Sequence, residues 1–282
     1  MEIKKIAVVG AGIMGGGIAQ TAAQSGFAVL LEDVNEEYAR EGYAKIRDRL
    51  GKRAAEGKIE KNELERVLAR IAITARIEDC SAADLVIEAA VEIEEVKKKI
   101  FRTLDSLCPP GCIFSTNTSC ISVTRLAGAT GRPERFIGMH FMNPAYAMKL
   151  IEVVRGASTS AETIVAITSV AEQMGKVPVV VDDAPGFVSN RVLMPLINEA
   201  IFCLEEGVAS KERIDMVMKL GANHPMGPLE LADFIGLDTC LEILEILRAE
   251  LGDKFRPSPL LRKMVKAGRL GKKSGEGFYA YR

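Results

Sequence analysis

The first 33 residues constrain the fold of this chain more than any other part of it. The apolar run at 3–9 (IKKIAVV) ends in Gly10-Ala11-Gly12-Ile13-Met14-Gly15, and helix-like sequence continues from Ile13 to about Ser25. Gly26 stops that helix, and Phe27–Leu31 reads as a second buried strand. A strand, a glycine turn, a helix and a second strand make the opening unit of a parallel α/β sheet. Glycines at such a turn let it close tightly and let backbone N–H groups at the helix N-terminus approach a pyrophosphate. Asp33 ends the second strand, where an acidic side chain binds ribose hydroxyls. A lone GxGxxG is weak evidence. Together with the flanking strand, the helix and the acid, it predicts a dinucleotide site on Gly10, Gly12, Ile13, Met14, Gly15 and Asp33. Glu32 adds a second carboxylate beside Asp33, and no arginine lies within Leu31–Glu37 to receive a 2′-phosphate. The expected cofactor is therefore NAD and not NADP.

The alternation continues. Asn35 to about Gly57 and Lys61–Ala69 read as charged, exposed helices, Asp84–Ala90 as a buried strand and Glu92–Leu107 as an amphipathic helix. Cys112–Thr116, Phe136–Phe141, Leu150–Val154 and Val177–Val181 supply further strands, with a helix over Ala161–Met174. This pattern predicts a Rossmann-like, doubly wound sheet, parallel at least in its first half.

Near 183–187 the texture changes. Asn190–Glu206, Lys211–Leu220, Pro228–Ile235, Leu237–Leu251 and Pro259–Ala267 carry helical apolar spacing, and strand patterns vanish. Pro195 inside the first of these should kink the helix or mark its true start. The reading is an α/β domain over 1–184 and an all-helical domain over 185–282. The helices carry more apolar face than one small bundle needs, so a homodimer through this domain is expected.

Composition removes several functions. A net charge of −1 offers no basic field for nucleic acid or an anionic membrane. No apolar run is long enough to span a bilayer, and the N-terminus has no signal-peptide pattern. The six cysteines, at 80, 108, 112, 120, 203 and 240, lack metal-ligand spacing and read as reduced thiols of a cytoplasmic protein. No metal site is expected.

The chemistry concentrates between 117 and 152: Asn117-Thr118-Ser119, His140-Phe141-Met142-Asn143-Pro144 and Lys149-Leu150-Ile151-Glu152. A histidine with a carboxylate and small polar donors can move a proton on and off an alcohol. A dinucleotide site supplies the matching hydride chemistry. Glu152 stands in a strand-like apolar run, where an unpaired charge is costly, and His140 is its nearest cationic partner. Read singly, each residue also has a structural reading: His140 as a core histidine, Asn117 and Ser119 as a turn, Asn190 as a helix cap.

Taken together, these motifs resemble the 3-hydroxyacyl-CoA dehydrogenase family. The similarity also covers Pro185-Gly186-Phe187, Asn190-Arg191, Gly221-Ala222-Asn223-His224-Pro225-Met226-Gly227-Pro228 and the closing Gly271-Lys272-Lys273-Ser274-Gly275-Glu276-Gly277-Phe278-Tyr279. At this length the chain is most similar to bacterial 3-hydroxybutyryl-CoA dehydrogenases. The resemblance implies interconversion of (S)-3-hydroxybutyryl-CoA and acetoacetyl-CoA. Longer or dicarboxylic substrates such as 3-hydroxyadipyl-CoA are the alternative, and a silent NAD- or CoA-binding module the remote one. It implies His140 as acid–base, Glu152 as its partner, and Ser119 and Asn190 at the substrate. It assigns Glu92, Lys97, Asn117, Ser119, Asn143 and Lys273 to the cofactor. Lys52, with Arg53 and Lys58, would hold the CoA nucleotide. Two departures stand out: Cys120 replaces a second serine of many relatives, and Glu56 a lysine of some. The implied site lies in a cleft between the two domains. Acyl chain length and physiological direction cannot be read from these residues.

Overall fold

The computed structural model describes residues 2–281; Met1 and Arg282, the outer limits of the two expected domains, lie outside the described residues. The chain divides into two compact units, Met1–Asp183 and Ala184–Arg282.

The first unit is an eight-stranded sheet. Its strands are β1 (Lys5–Val9), β2 (Ala28–Glu32), β3 (Ile71–Thr74), β4 (Leu85–Glu88), β5 (Ile113–Thr116), β6 (Phe136–Phe141), β7 (Leu150–Arg155) and β8 (Val177–Asp182). Their spatial order is β3-β2-β1-β4-β5-β6-β7-β8. All neighbours are parallel except β6 and β7. The winding reverses at β1, whose neighbours are β2 and β4. In open α/β sheets that switch point, at the carboxyl ends of the strands, is where ligands bind.

Strand alternation then assigns the two faces. Leu85, Ile87, Met139, Phe141, Ile151 and Val153 join one core with helices α1 (Ile13–Gln24) and α2 (Glu36–Ala55). Registers carry the opposite face across the sheet. Glu88 lies opposite Thr116, Thr116 opposite Gly138, and His140, two residues on, opposite Glu152. Four polar side chains, Glu88, Thr116, His140 and Glu152, therefore share one face. Helix α3 (Lys61–Ala69) precedes β3, and α4 (Glu94–Leu107) follows β4. Phe101 of α4 packs edge-on against Phe136, with ring centroids 4.6 Å apart. The short α5 (Val123–Ala127) also packs against this face. A side chain at Gly138 would lie 3.0 Å from the Val123 side chain and 2.7 Å from Val154 Cβ, so the contact requires glycine there. Helix α6 (Ala161–Gln173) links β7 to β8.

The second unit holds α7 (Ser189–Glu205), α8 (Lys211–Gly221), α9 (Pro228–Ile235), α10 (Leu237–Leu251) and α11 (Pro259–Lys266). Helix α7 runs through Pro195, so its start is Ser189 and not the proline. A proline here costs the bond its missing N–H would make to the Arg191 carbonyl, and apolar packing of Met194, Ile197 and Ile201 outweighs it. Two buried aspartates organise the rest. Asp215 accepts from the Leu229 and Glu230 N–H groups at the start of α9 and from the Tyr279 hydroxyl. Asp233 accepts from the Phe278 and Tyr279 N–H groups. A Cβ at Gly277 would sit 2.0 Å from an Asp233 oxygen, which explains the glycine of the closing motif.

Candidate active site

The glycine turn is built at the end of β1. Gly10 has φ +103°, and a Cβ there would meet the Ala89 carbonyl oxygen at 2.6 Å. A Cβ at Gly15 would fall 1.7 Å from the Gly10 oxygen. Gly12 differs: a Cβ there meets nothing within 4 Å, and as N-cap of α1 it brings no capping side chain. The helix thus presents uncapped N–H groups toward open space, a cradle that fits a pyrophosphate. Ile13 is exposed on the same turn. Asp33 stands beside it, its Oδ2 accepting from the Ala11 N–H at 2.7 Å.

Glu32 does not share that place. Its side chain is buried, and its strand neighbours the 3-10 turn Ile77–Ala82. Burial first, then the nearby charges of Asp33 and Glu78, push its pKa up to about 7. Of the two carboxylates expected side by side, only Asp33 stands at the glycine turn, because consecutive strand residues point to opposite sides.

His140 and Glu152 are cross-strand partners in the antiparallel β6–β7 pair, and their side chains meet, Nδ1 to Oε2, at 2.8 Å. Both are buried, at 7% and 2% exposure. A carboxylate only accepts, so Nδ1 carries the proton at this contact and Nε2 is left for a substrate oxygen. Asn117, just beyond β5, accepts from the Phe141 N–H at 3.0 Å and so ties its loop to the residue after His140.

Next to Asn117 a second carboxylate collects the loop. Glu92 Oε1 accepts from the Ser119 N–H at 2.9 Å, from the Cys120 N–H at 3.3 Å and, in a very short contact, from the Thr118 hydroxyl. Its Oε2 lies 3.2 Å from Lys97 Nζ. Burial pushes the Glu92 carboxyl up, but the Lys97 ammonium and these hydrogen bonds outweigh it and hold it below the usual carboxylate range. Ser119 is half-buried, with its hydroxyl 3.4 Å from Glu92.

Comparison with known proteins now decides the family. The model of the 3-hydroxyacyl-CoA dehydrogenase NAD binding domain matches residues 5–184, and that of the 3-hydroxyacyl-CoA dehydrogenase C-terminal domain matches residues 186–281. The chain belongs to the 3-hydroxyacyl-CoA dehydrogenase family. A Bacillus subtilis relative named probable 3-hydroxybutyryl-CoA dehydrogenase is 58% identical over 282 residues, covering 100% of this chain and 98% of its own. A 3-hydroxybutyryl-CoA dehydrogenase of Bradyrhizobium diazoefficiens is 51% identical over 99% of this chain and 96% of its own. The crystal structure of (S)-3-hydroxybutyryl-CoA dehydrogenase from Ralstonia eutropha superposes with a TM-score of 0.96 at 46% identity, covering all of both chains. As a member of this family the chain is an NAD-dependent oxidoreductase.

The remaining residues expected of this dehydrogenase site are spread more widely. Asn143 is exposed on the β6–β7 loop, before a cis bond to Pro144. That loop is held by Lys176, whose Nζ donates to the Ala145 and Met148 carbonyls, and by Arg49, stacked 4.2 Å over the Tyr146 ring. Lys97 is buried behind Glu92 at 1% exposure. Lys52 and Arg53 are exposed on the last turn of α2, and Lys58 just beyond it pairs with Glu56 at 2.7 Å. In the helical unit Asn190 is buried in the first turn of α7, and exposed Lys273 pairs with Asp238 at 2.5 Å. No cluster of metal-ligating side chains occurs among the described residues, and no helix there is long and apolar enough to cross a membrane.

Glu88 and Thr116, unmarked in the sequence, and Thr118, present in the 117–119 motif without a role, join Glu92 and Lys97 in one polar network. A signal was present: Glu88 sits inside the apolar run DLVIEAA, the same anomaly that singled out Glu152.

Proposed function

We propose that the chain interconverts (S)-3-hydroxybutyryl-CoA and acetoacetyl-CoA. The observation that carries this reading is the buried, directly opposed His140–Glu152 pair on the sheet face it shares with Glu88 and Thr116. Gly10, Gly12, Ile13, Met14 and Gly15 hold the pyrophosphate of NAD, and Asp33 the adenosine ribose. Asn117, Ser119 and Asn143 complete the cofactor contacts, with Glu92 ordering the Ser119 loop, Lys97 acting through Glu92, and Lys273 contributing from the helical unit. Bound NAD supplies the acceptor, and NADH the donor, of the hydride at substrate C3. His140 takes the C3 hydroxyl proton in oxidation and returns it in reduction, the same group serving both directions. Glu152 fixes the tautomer and stabilises the imidazolium that forms. Ser119 and Asn190 hydrogen-bond the substrate oxygen or orient its acyl chain. Lys52, Arg53 and Lys58 offer positive charge to the CoA nucleotide.

The test is a single cuvette. NADH oxidation on adding acetoacetyl-CoA is expected, with much lower kcat/KM for NADPH, because Asp33 repels a 2′-phosphate. Turnover only of longer or dicarboxylic 3-ketoacyl-CoA substrates would move the substrate assignment, and no turnover of any would sink the proposal. All six cysteines are reduced, outside any disulfide, which suits work in the cytoplasm.

We also propose a homodimer through the helical unit. Helix α8 exposes Met216, Val217 and Leu220, the last at 80%, an apolar stripe that a second copy would cover. Sedimentation is expected to give the mass of two chains, and Leu220→Glu to give that of one. A monomeric parent would refute the dimer.

A further inference from the structure

We propose that Glu88 is a positioning residue for cofactor binding: its carboxylate fixes Lys97 and, through Lys97, the Glu92 carboxylate that shapes the Ser119 loop. The inference rests on the reading above that this loop faces the cofactor. Glu88 is the last residue of β4 and lies opposite Val9, the residue before the glycine turn. It is fully buried, and all its side-chain bonds go to segments that frame the switch point. Oε1 accepts from Lys97 Nζ at 2.6 Å and from the Ala90 N–H at 2.7 Å, and Oε2 from the Thr116 hydroxyl at 2.7 Å. Lys97 Nζ continues the chain to the Ala90 carbonyl at 3.3 Å and to Glu92 Oε2 at 3.2 Å.

Two carboxylates thus share one buried ammonium, and they are not equivalent. Burial outweighs Lys97 and the hydrogen bonds at Glu88 and raises its proton affinity, whereas Glu92 is held below the usual carboxylate range. Glu92 remains the ionised acceptor for four groups of the 118–120 turn. With Glu88 neutralised, Lys97 has one carboxylate partner left and draws Glu92 toward itself and off the Ser119 and Cys120 N–H groups. Buried polar networks of this kind act as a unit, so a change at one member reaches the others.

Glu88→Gln tests this, since the amide keeps volume and an acceptor for Lys97. Three quantities are measured: NADH affinity by fluorescence titration, the KM for acetoacetyl-CoA, and Tm. NADH affinity is expected to fall at least about fivefold, the scale of coupling inside one hydrogen-bond network, with Tm near that of the parent. The KM for acetoacetyl-CoA should move less than about twofold, inside the scatter of independent sites. A smaller loss of NADH affinity, or an equal rise in both constants, overturns the proposal. If Glu88→Gln does not fold, Glu88→Asp keeps Lys97 and the charge but withdraws the carboxylate from Lys97 by one methylene. That variant must lose NADH affinity in the same sense, and parent-like affinity overturns the proposal. The NADH titration needs no turnover, so a parent that fails to reduce acetoacetyl-CoA sinks the substrate reading and leaves the role of Glu88 readable.

Discussion

His140→Gln is expected to lower kcat at least about a hundredfold, the lower end of what a positioned proton-transfer group contributes, while NADH still binds. The substitution is chosen for what it keeps. Glutamine is close to histidine in size, and its amide N–H can still meet the Glu152 carboxylate that now accepts from Nδ1 at 2.8 Å. It cannot take up or release a proton at C3. The glycine turn at the end of β1 is built from backbone and does not use the imidazole. Steady-state kcat with acetoacetyl-CoA and a fluorescence titration of NADH separate the two effects. A kcat near that of the parent would remove His140 from the mechanism, and a parallel loss of NADH binding would assign it a structural role.

The fold class was legible because its signals are local. Periodicity located α3, α9 and α10 at their observed ends, and the turn glycines located α1 between two strands. β3 escaped because it has four residues at the sheet edge and only Ile71 is buried, so it carries neither an apolar run nor a clean alternation. The pairing of His140 with Glu152 followed from the cost of a buried charge. What the sequence does not contain is the register: a shift of one residue in the β6–β7 pair would send one of the two side chains to the opposite face. The misplacement of Glu32 is the reverse case. Val29 and Leu31 point into the core, so strand alternation alone would have turned Glu32 away from the glycine turn. Asp215 and Asp233 were illegible for a different reason. Each lies in a helix as an ordinary charge would, and the groups it satisfies are as much as 64 residues away.

Glu152→Gln should be about as damaging as loss of the histidine itself, at least about a hundredfold in kcat, for a reason that lies in the tautomer. The carboxylate accepts from Nδ1–H and leaves Nε2 as the base. An amide can instead donate its N–H to Nδ1, which places the ring proton on Nε2, where it blocks removal of the substrate proton. It also withdraws the negative charge that stabilises the imidazolium. Glu152→Ala leaves the ring free to adopt either tautomer, so it is expected to lose less in kcat than Glu152→Gln despite removing more atoms. The double variant His140→Gln with Glu152→Gln should be no slower than His140→Gln alone, because residues that act as one unit are not additive. The kcat values of these four variants, each set against the parent, decide the matter. Additive losses would mean that Glu152 acts on something other than His140. Both variants lack the carboxylate charge, so a Glu152→Gln variant faster than Glu152→Ala would mean that a hydrogen bond orienting the imidazole, and not the tautomer it selects, is what separates them.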